Sequence, residues 1–99
     1  MYVIRDIMHC KPGQVKPMVE KFKLLSAALQ KTGNKPFRIM TDVVAEKYWT
    51  VIAEAETESV DAYAQMASKS MSDPAMQQIM QDYHSLVESG RREIFRIEA

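Results

Sequence analysis

The chain runs to 99 residues, 46% of them apolar, and its 13 basic and 13 acidic side chains cancel to a net charge of zero. That is the size of one domain, 1–99, and its Lys and Arg are scattered rather than massed, so it lacks the basic footprint that holds nucleic acid or an anionic membrane. Met1 to Ile4 meets Arg5 and Asp6 before a signal-peptide core can form, and no stretch approaches the roughly 18 apolar residues that cross a bilayer, so a cytoplasmic location is expected.

Tyr2 to Cys10, rich in Val, Ile and Tyr and halted by Lys11-Pro12-Gly13, predicts a strand and a turn. From Val15 the apolar residues Val15, Met18, Val19, Phe22, Leu25 and Leu29 recur at helical spacing. Pro17 is tolerable in the opening turn, and Thr32-Gly33-Asn34 supplies the stop. Two aromatic and β-branched runs, Phe37 to Val44 and Tyr48 to Ala55, separated by Ala45-Glu46-Lys47, predict a hairpin. Thr57-Glu58-Ser59 offers an N-cap for a helix carrying Val60, Tyr63, Ala64, Ala67 and Met71, which Ser72-Asp73-Pro74 interrupts; Asp73 suits an N-cap and Pro74 a first helical position. Met76, Ile79, Met80, Tyr83, Leu86 and Val87 continue as a helix that Gly90 is expected to end, and Arg91 to Glu98 is expected to form a last strand. The order β-α-β-β-α-β, with the second helix broken in two near Asp73-Pro74, is that of an α+β, ferredoxin-like fold.

Cys10 is the only cysteine, which rules out an intrachain disulfide and a cysteine-based zinc site within one chain. Two distant histidines without an HExxH pattern give no support to a metal centre. A domain this small buries roughly two-thirds of the surface its unfolded chain exposes, so it gains from burying more against a second copy. Self-association is the expected state.

The opening strand leading into Lys11-Pro12-Gly13-Gln14-Val15, the Ser72-Asp73-Pro74 break, and Tyr83-His84-Ser85-Leu86-Val87 before Gly90 and a closing strand together resemble the dimeric α/β-barrel superfamily, which includes NIPSNAP-like proteins and antibiotic-biosynthesis-type monooxygenases. The resemblance covers nearly the whole chain. It implies a four-stranded antiparallel sheet in the order 4-1-3-2, helices on one face, and the other face packed on a second subunit to close a homodimeric barrel. In that arrangement Trp49, Val51, Ala53 and Ala55 face the helices, and Tyr48, Thr50, Ile52 and Glu54 face the partner. Arg5 and Asp6 are adjacent mid-strand and must point to opposite faces. Matching the turn glycine to similar sequences sends Tyr2, Ile4, Asp6 and Met8 under the helices and leaves Arg5, Ile7 and His9 on the dimer side, where Arg5 can meet Glu54. A bulge near Asp6 would exchange the two faces.

Asp6 is the leading catalytic candidate. A carboxylate confined between sheet and helices has its charged form disfavoured and can serve as a general base toward a bound phenol or enol. The alternative is that Tyr63, Tyr83 or a backbone group satisfies it. Tyr63, Tyr83 and His84, all on the broken helix, can reach the same space. His84 is the second catalytic candidate, and Trp49, Tyr63 and Tyr83 are the candidate ligand contacts; core tyrosines and a surface histidine are the structural alternatives. His9 projects away from Cys10 and cannot pair with it, which leaves Cys10 an inert thiol. Arg91 and Arg92, just past the expected helix end, favour its dipole. The helical methionines serve as core filling or as walls of an irregular apolar pocket.

Haem-degrading members of the superfamily carry an asparagine, a tryptophan and a histidine at positions that fall here on Asp6, Ala53 and Ile79, so neither haem nor another cofactor is expected. Three readings remain open. One is a homodimer that binds a small apolar or aromatic molecule between sheet and helices; another is a cofactor-independent, monooxygenase-like enzyme in which Asp6 deprotonates the substrate and dioxygen reacts with the carbanion. A third, a structural dimer with a filled core, predicts that no ligand raises the melting temperature.

Overall fold

Gly13 stands at φ 81°, the left-handed conformation that lets Lys11-Pro12-Gly13 turn the chain from β1 (Tyr2–Cys10) into α1 (Val15–Lys31) in the computed structural model, which describes residues 1–99. The apolar stripe of α1 buries Met18, Phe22, Leu25 and Leu29 against the sheet, and Gly33, at φ 88°, releases the chain beyond the helix. β2 (Arg38–Thr41) and β3 (Thr50–Thr57) form the hairpin. α2 (Val60–Ser72) opens on Ser59, whose hydroxyl accepts from the Ala62 N–H at 3.0 Å. α3 (Pro74–Ile79) opens on Asp73, whose carboxylate accepts from the Ala75 N–H at 2.9 Å. A single turn, α4 (Tyr83–Leu86), leads into β4 (Val87–Arg96).

The four strands are antiparallel in the order β2-β3-β1-β4, the order expected from the sequence. Helices cover one face. There Met8 and Cys10 of β1 and Val51 and Ala53 of β3 meet the α1 stripe, Met76 and Leu86 in one continuous core. Each large apolar side chain buried in this way stabilises the fold by roughly 1.5–3 kcal/mol. The slab measures 36 × 34 × 18 Å, the thin dimension corresponding to one sheet and one helical layer.

Strand alternation places Asp6, opposite Ala53 and Arg92, on the helical face, and Arg5, opposite Glu54 and Glu93, on the open face. The β1–β4 register does shift, but between His9 and Cys10, beyond Asp6, so the two faces are not exchanged. On the open face Glu54 accepts from Arg5 Nε at 2.7 Å and is also ion-paired with Arg38, a partner the sequence reading did not include.

Three boundaries differ from the sequence reading. β2 ends at Thr41 and β3 begins at Thr50, so 42–49 is a structured loop rather than a short break between longer strands. Asp42 accepts from the Thr50 N–H at 2.8 Å, Thr50 Oγ1 donates to the Lys47 carbonyl at 2.9 Å, and Trp49 sits at φ 60°, outside the strand conformation. The second helical region breaks twice, at Asp73 and again over 80–82. Finally, Gly90 does not end a helix; it lies inside β4, opposite Met8. A β-carbon there would come within 3.2 Å of the Ile7 carbonyl oxygen, so close strand approach is what glycine serves at this position.

Candidate functional site

α1 packs over β2 and β3, and the broken helical region covers the rest of that face, with α4 against β4 and α2 also reaching β3. That second covering is incomplete, since α2 contributes no fully buried residue. Between it and the sheet lies a cavity of about 870 Å³, within the ~300–1,000 Å³ usual for small-molecule sites. Its floor carries Asp6, Met8, Gly90 and Arg92; Tyr63 and Met66 come from α2, Met76 from α3 and Tyr83 from α4, and Phe22 and Leu25 close the inner end. Of the 23 residues that line it, 14 are apolar. Five of those are methionines, Met8, Met66, Met71, Met76 and Met80, flexible side chains suited to an irregular apolar shape.

Asp6 and Arg92 form an ion pair on the floor, and Ser70, Gln77, Glu88, Ser89 and Arg91 add further polar groups to the lining. Arg92 Nε donates to Asp6 Oδ1 at 2.6 Å, and the guanidinium lies 5.2 Å from the centre of the Tyr63 ring. The Asp6 carboxylate in turn holds Arg92 more firmly protonated. Burial pushes the Tyr63 hydroxyl up from its ordinary 10.0, the Asp6 charge adds to the rise, and Arg92 offsets it only in part. Tyr83 rises for the same reasons, burial first and Asp6 next. Both phenols therefore stay protonated through neutral pH and are available as donors. Tyr83 packs edge-on against Phe22 and His84, with ring centroids 6.4 and 5.3 Å away, and its hydroxyl lies 3.8 Å from where a side chain at Gly90 would begin.

The cavity thus brings together Asp6, Tyr63, Tyr83 and His84, the last from an exposed position in α4. It does not include Trp49. The cavity lies over β1 and β4, whereas Trp49 precedes β3 on the other side of β1 and is held out of that strand by its left-handed backbone. The expected Trp49 contact thus falls outside this cavity's lining. Arg92 is the residue the sequence reading missed, having been assigned to a helix end. The partner of Asp6 is this arginine rather than a tyrosine or a backbone group. The missed signal was alternation, which puts Arg92 on the face of Asp6 once β4 is known to begin at Val87.

Outside the cavity, Cys10 is buried, and that burial pushes its thiol up, away from the reactive thiolate. His9 lies on the open face with Nδ1 3.2 Å from Thr50 Oγ1. No group of three or more His, Cys, Asp or Glu side chains could hold a metal ion, and no helix is long and apolar enough to cross a membrane.

No protein-family model matches the chain, and no curated protein sequence does. Solved structures do match. An uncharacterized NIPSNAP domain protein from Burkholderia xenovorans superposes with a TM-score of 0.84 at 13% identity, covering 100% of this chain and 96% of that one. A NIPSNAP family protein from Agrobacterium tumefaciens superposes at 0.80 and 19% identity, over 96% and 90% of the two chains. An antibiotic biosynthesis monooxygenase-like protein from Nitrosomonas europaea superposes at 0.75 and 13% identity over 100% of both. At these identities the likeness is one of fold. The chain shares, over nearly its whole length, the ferredoxin-like α+β fold of NIPSNAP family and antibiotic biosynthesis monooxygenase-like proteins.

Proposed function

We propose that this protein binds a small apolar or aromatic molecule in the cavity between sheet and helices, and that it does so as a cytoplasmic homodimer. The observation that carries the reading is the cavity itself: mostly apolar walls, with the Asp6–Arg92 pair on the floor facing Tyr63 and Tyr83 of the helical layer. The dimer is supported by the uncovered face of the sheet, where Val3, Ile7, Met40, Ile52 and Phe95 share one side and Phe95 is exposed. Native mass spectrometry of the protein as purified tests both parts. A dimer with a discrete added mass supports them, a bare dimer that no apolar aromatic compound stabilises against heat removes the binding role, and a monomer removes the barrel.

A second reading is favoured by one observation, that Asp6 lines the cavity beside two phenols and His84. In it the protein is a cofactor-independent, monooxygenase-like enzyme. Asp6 takes a proton from a phenolic or enolic substrate, Tyr63 and Tyr83 hold the substrate, His84 serves as a second proton carrier, and dioxygen meets the carbanion. Arg92 weighs against it, because the guanidinium already occupies one carboxylate oxygen. Dioxygen uptake with phenolic substrates that disappears in Asp6→Asn would establish this reading, and uptake unchanged in that variant would end it.

A further inference from the structure

Asp6 and Arg92 meet through one atom each. Arg92 Nε donates to Asp6 Oδ1 at 2.6 Å, and no other hydrogen bond or ion pair ties either side chain to the rest of the protein. Asp6 Oδ2 is therefore a free acceptor, and both Nη groups of Arg92 are free donors. Every fully buried side-chain oxygen or nitrogen has a partner, so the unpartnered Oδ2 is not sealed inside the protein; Asp6 lies on the helical face and lines the cavity, and that oxygen opens into it. The Arg92 guanidinium stands at the same place, 5.2 Å from the centre of the Tyr63 ring on the facing wall. Arg91 also borders the cavity, but alternation turns its side chain to the open face, where Nε donates to Glu93 at 3.1 Å and Nη1 lies 3.5 Å from His9 Nε2.

Covalent geometry keeps these free atoms together. Oδ2 is one carboxyl width from Oδ1, each Nη is one guanidinium width from Nε, and Oδ1 and Nε touch, so an acceptor and donors stand side by side within the span of one small polar group. We infer that the Asp6–Arg92 pair reads the polar end of the ligand, and that the cavity selects an apolar or aromatic molecule carrying a hydrogen-bond donor beside an acceptor, as a primary carboxamide does. This inference rests on the small-molecule binding proposed above and names the class of ligand. The ligand N–H donates to Asp6 Oδ2, and its carbonyl oxygen accepts from an Arg92 Nη. Both protein partners are charged, which makes these hydrogen bonds stronger than neutral ones. A ketone or a carboxylate brings acceptors only and leaves Oδ2 covered and unpaired, whereas an ammonium brings donors only and does the same to the Nη groups. A polar group left unpaired under a ligand weakens binding, so the pair discriminates by what each competitor lacks.

Four naphthalene derivatives of similar shape separate the possibilities: 2-naphthamide, with donor and acceptor; 2-acetylnaphthalene and 2-naphthoate, with acceptors only; and 2-naphthylmethylammonium, with donors only. Their dissociation constants are measured by calorimetry or ligand-detected NMR on the full wild-type chain and on folded variants. The carboxamide should bind the wild type about fivefold or more tighter than each of the other three. Asp6→Leu should weaken the carboxamide about tenfold and leave the ketone within about twofold, whereas Arg92→Met should weaken both about tenfold, the size expected for lost hydrogen bonds to charged groups. A ketone that binds as tightly as the carboxamide, or a carboxamide indifferent to Asp6→Leu, overturns the inference, because Oδ2 then takes no part. Tightest binding of 2-naphthoate overturns it in favour of an anion site at Arg92 alone, and tightest binding of the ammonium does so in favour of Asp6 alone. In each of these cases the cavity remains a binding site. If none of the four binds, both the inference and the proposed binding role fall. Should either variant not fold, the wild-type ranking decides the matter alone.

Discussion

Arg92 reaches across from β4 to Asp6 on β1, Nε to Oδ1 at 2.6 Å, although 86 residues separate the two in the chain. This pair fixes the chemistry of the cavity floor by joining the only two strands that contribute to it. Its value to stability is smaller than its value to the site, because the two side chains retain 25% and 51% of their exposure. Partly exposed ion pairs contribute about 0.2–1 kcal/mol, and the stack on Tyr63 adds a comparable amount. Arg92→Ala is therefore expected to cost about 1 kcal/mol in urea unfolding.

The same pair sets the titration of the neighbouring phenols. Since Asp6 contributes to the rise of both Tyr63 and Tyr83, Asp6→Asn should lower the tyrosine titration observed by ultraviolet difference spectroscopy. Burial, the larger cause, persists in the variant, so the phenols should remain above their ordinary value. An unchanged titration would place Asp6 too far from them to shape the site.

Glu54 governs acid stability on the opposite face. Its side chain is only 6% exposed and is held by Arg38 and Arg5, whose hydrogen bonds draw the carboxyl below its ordinary 4.5. The folded state thus favours the charged form, so this contribution is complete above about pH 4.5 and is lost as pH falls through the lowered folded value. Glu54→Gln should cost about 1–2 kcal/mol at pH 7 and flatten the loss of stability below pH 4.5. Urea unfolding of wild type and variant at pH 7 and near pH 3 measures both effects.

Lys21 secures the second break in the helical layer. Only 9% exposed on α1, it donates to the Ile79 carbonyl at 2.6 Å, at the end of α3, and pairs with Asp82 just before α4. Lys21→Met keeps the apolar stem but leaves the Ile79 carbonyl without its donor, which should cost about 1–3 kcal/mol. Hydrogen exchange should accelerate over 79–86 more than in β1.

Trp49 gives an optical check on where the cavity lies. It is the only tryptophan, 45% exposed, and lies outside the cavity lining. Ligand bound in the cavity should raise the melting temperature and leave the tryptophan emission maximum in place, whereas a blue shift on binding would put the ligand against the 42–49 loop instead.

Local signals determined the order of elements in this chain. The Pro-Gly turn at 12–13, the apolar stripe of α1 and the Asp73-Pro74 start of α3 act over a few residues, where backbone conformation and capping are decided, and each lies where the sequence places it. Alternation along β1 likewise separates Asp6 from Arg5, because successive side chains in a strand can only point to opposite faces. What the sequence could not determine was set by contacts between distant segments. Gly90 reads locally as a helix end, yet its place is fixed by the Ile7 carbonyl across the β1–β4 pair. Trp49 reads as part of a strand, yet side-chain bonds of Asp42 and Thr50 turn the chain before β3 begins. The pairing of Asp6 with Arg92, and with it the electrical character of the cavity, depends on the start of β4 and its register on β1. Only the tertiary structure decides that register, because it is the packed sheet, not the local sequence, that brings the two ends of the chain side by side.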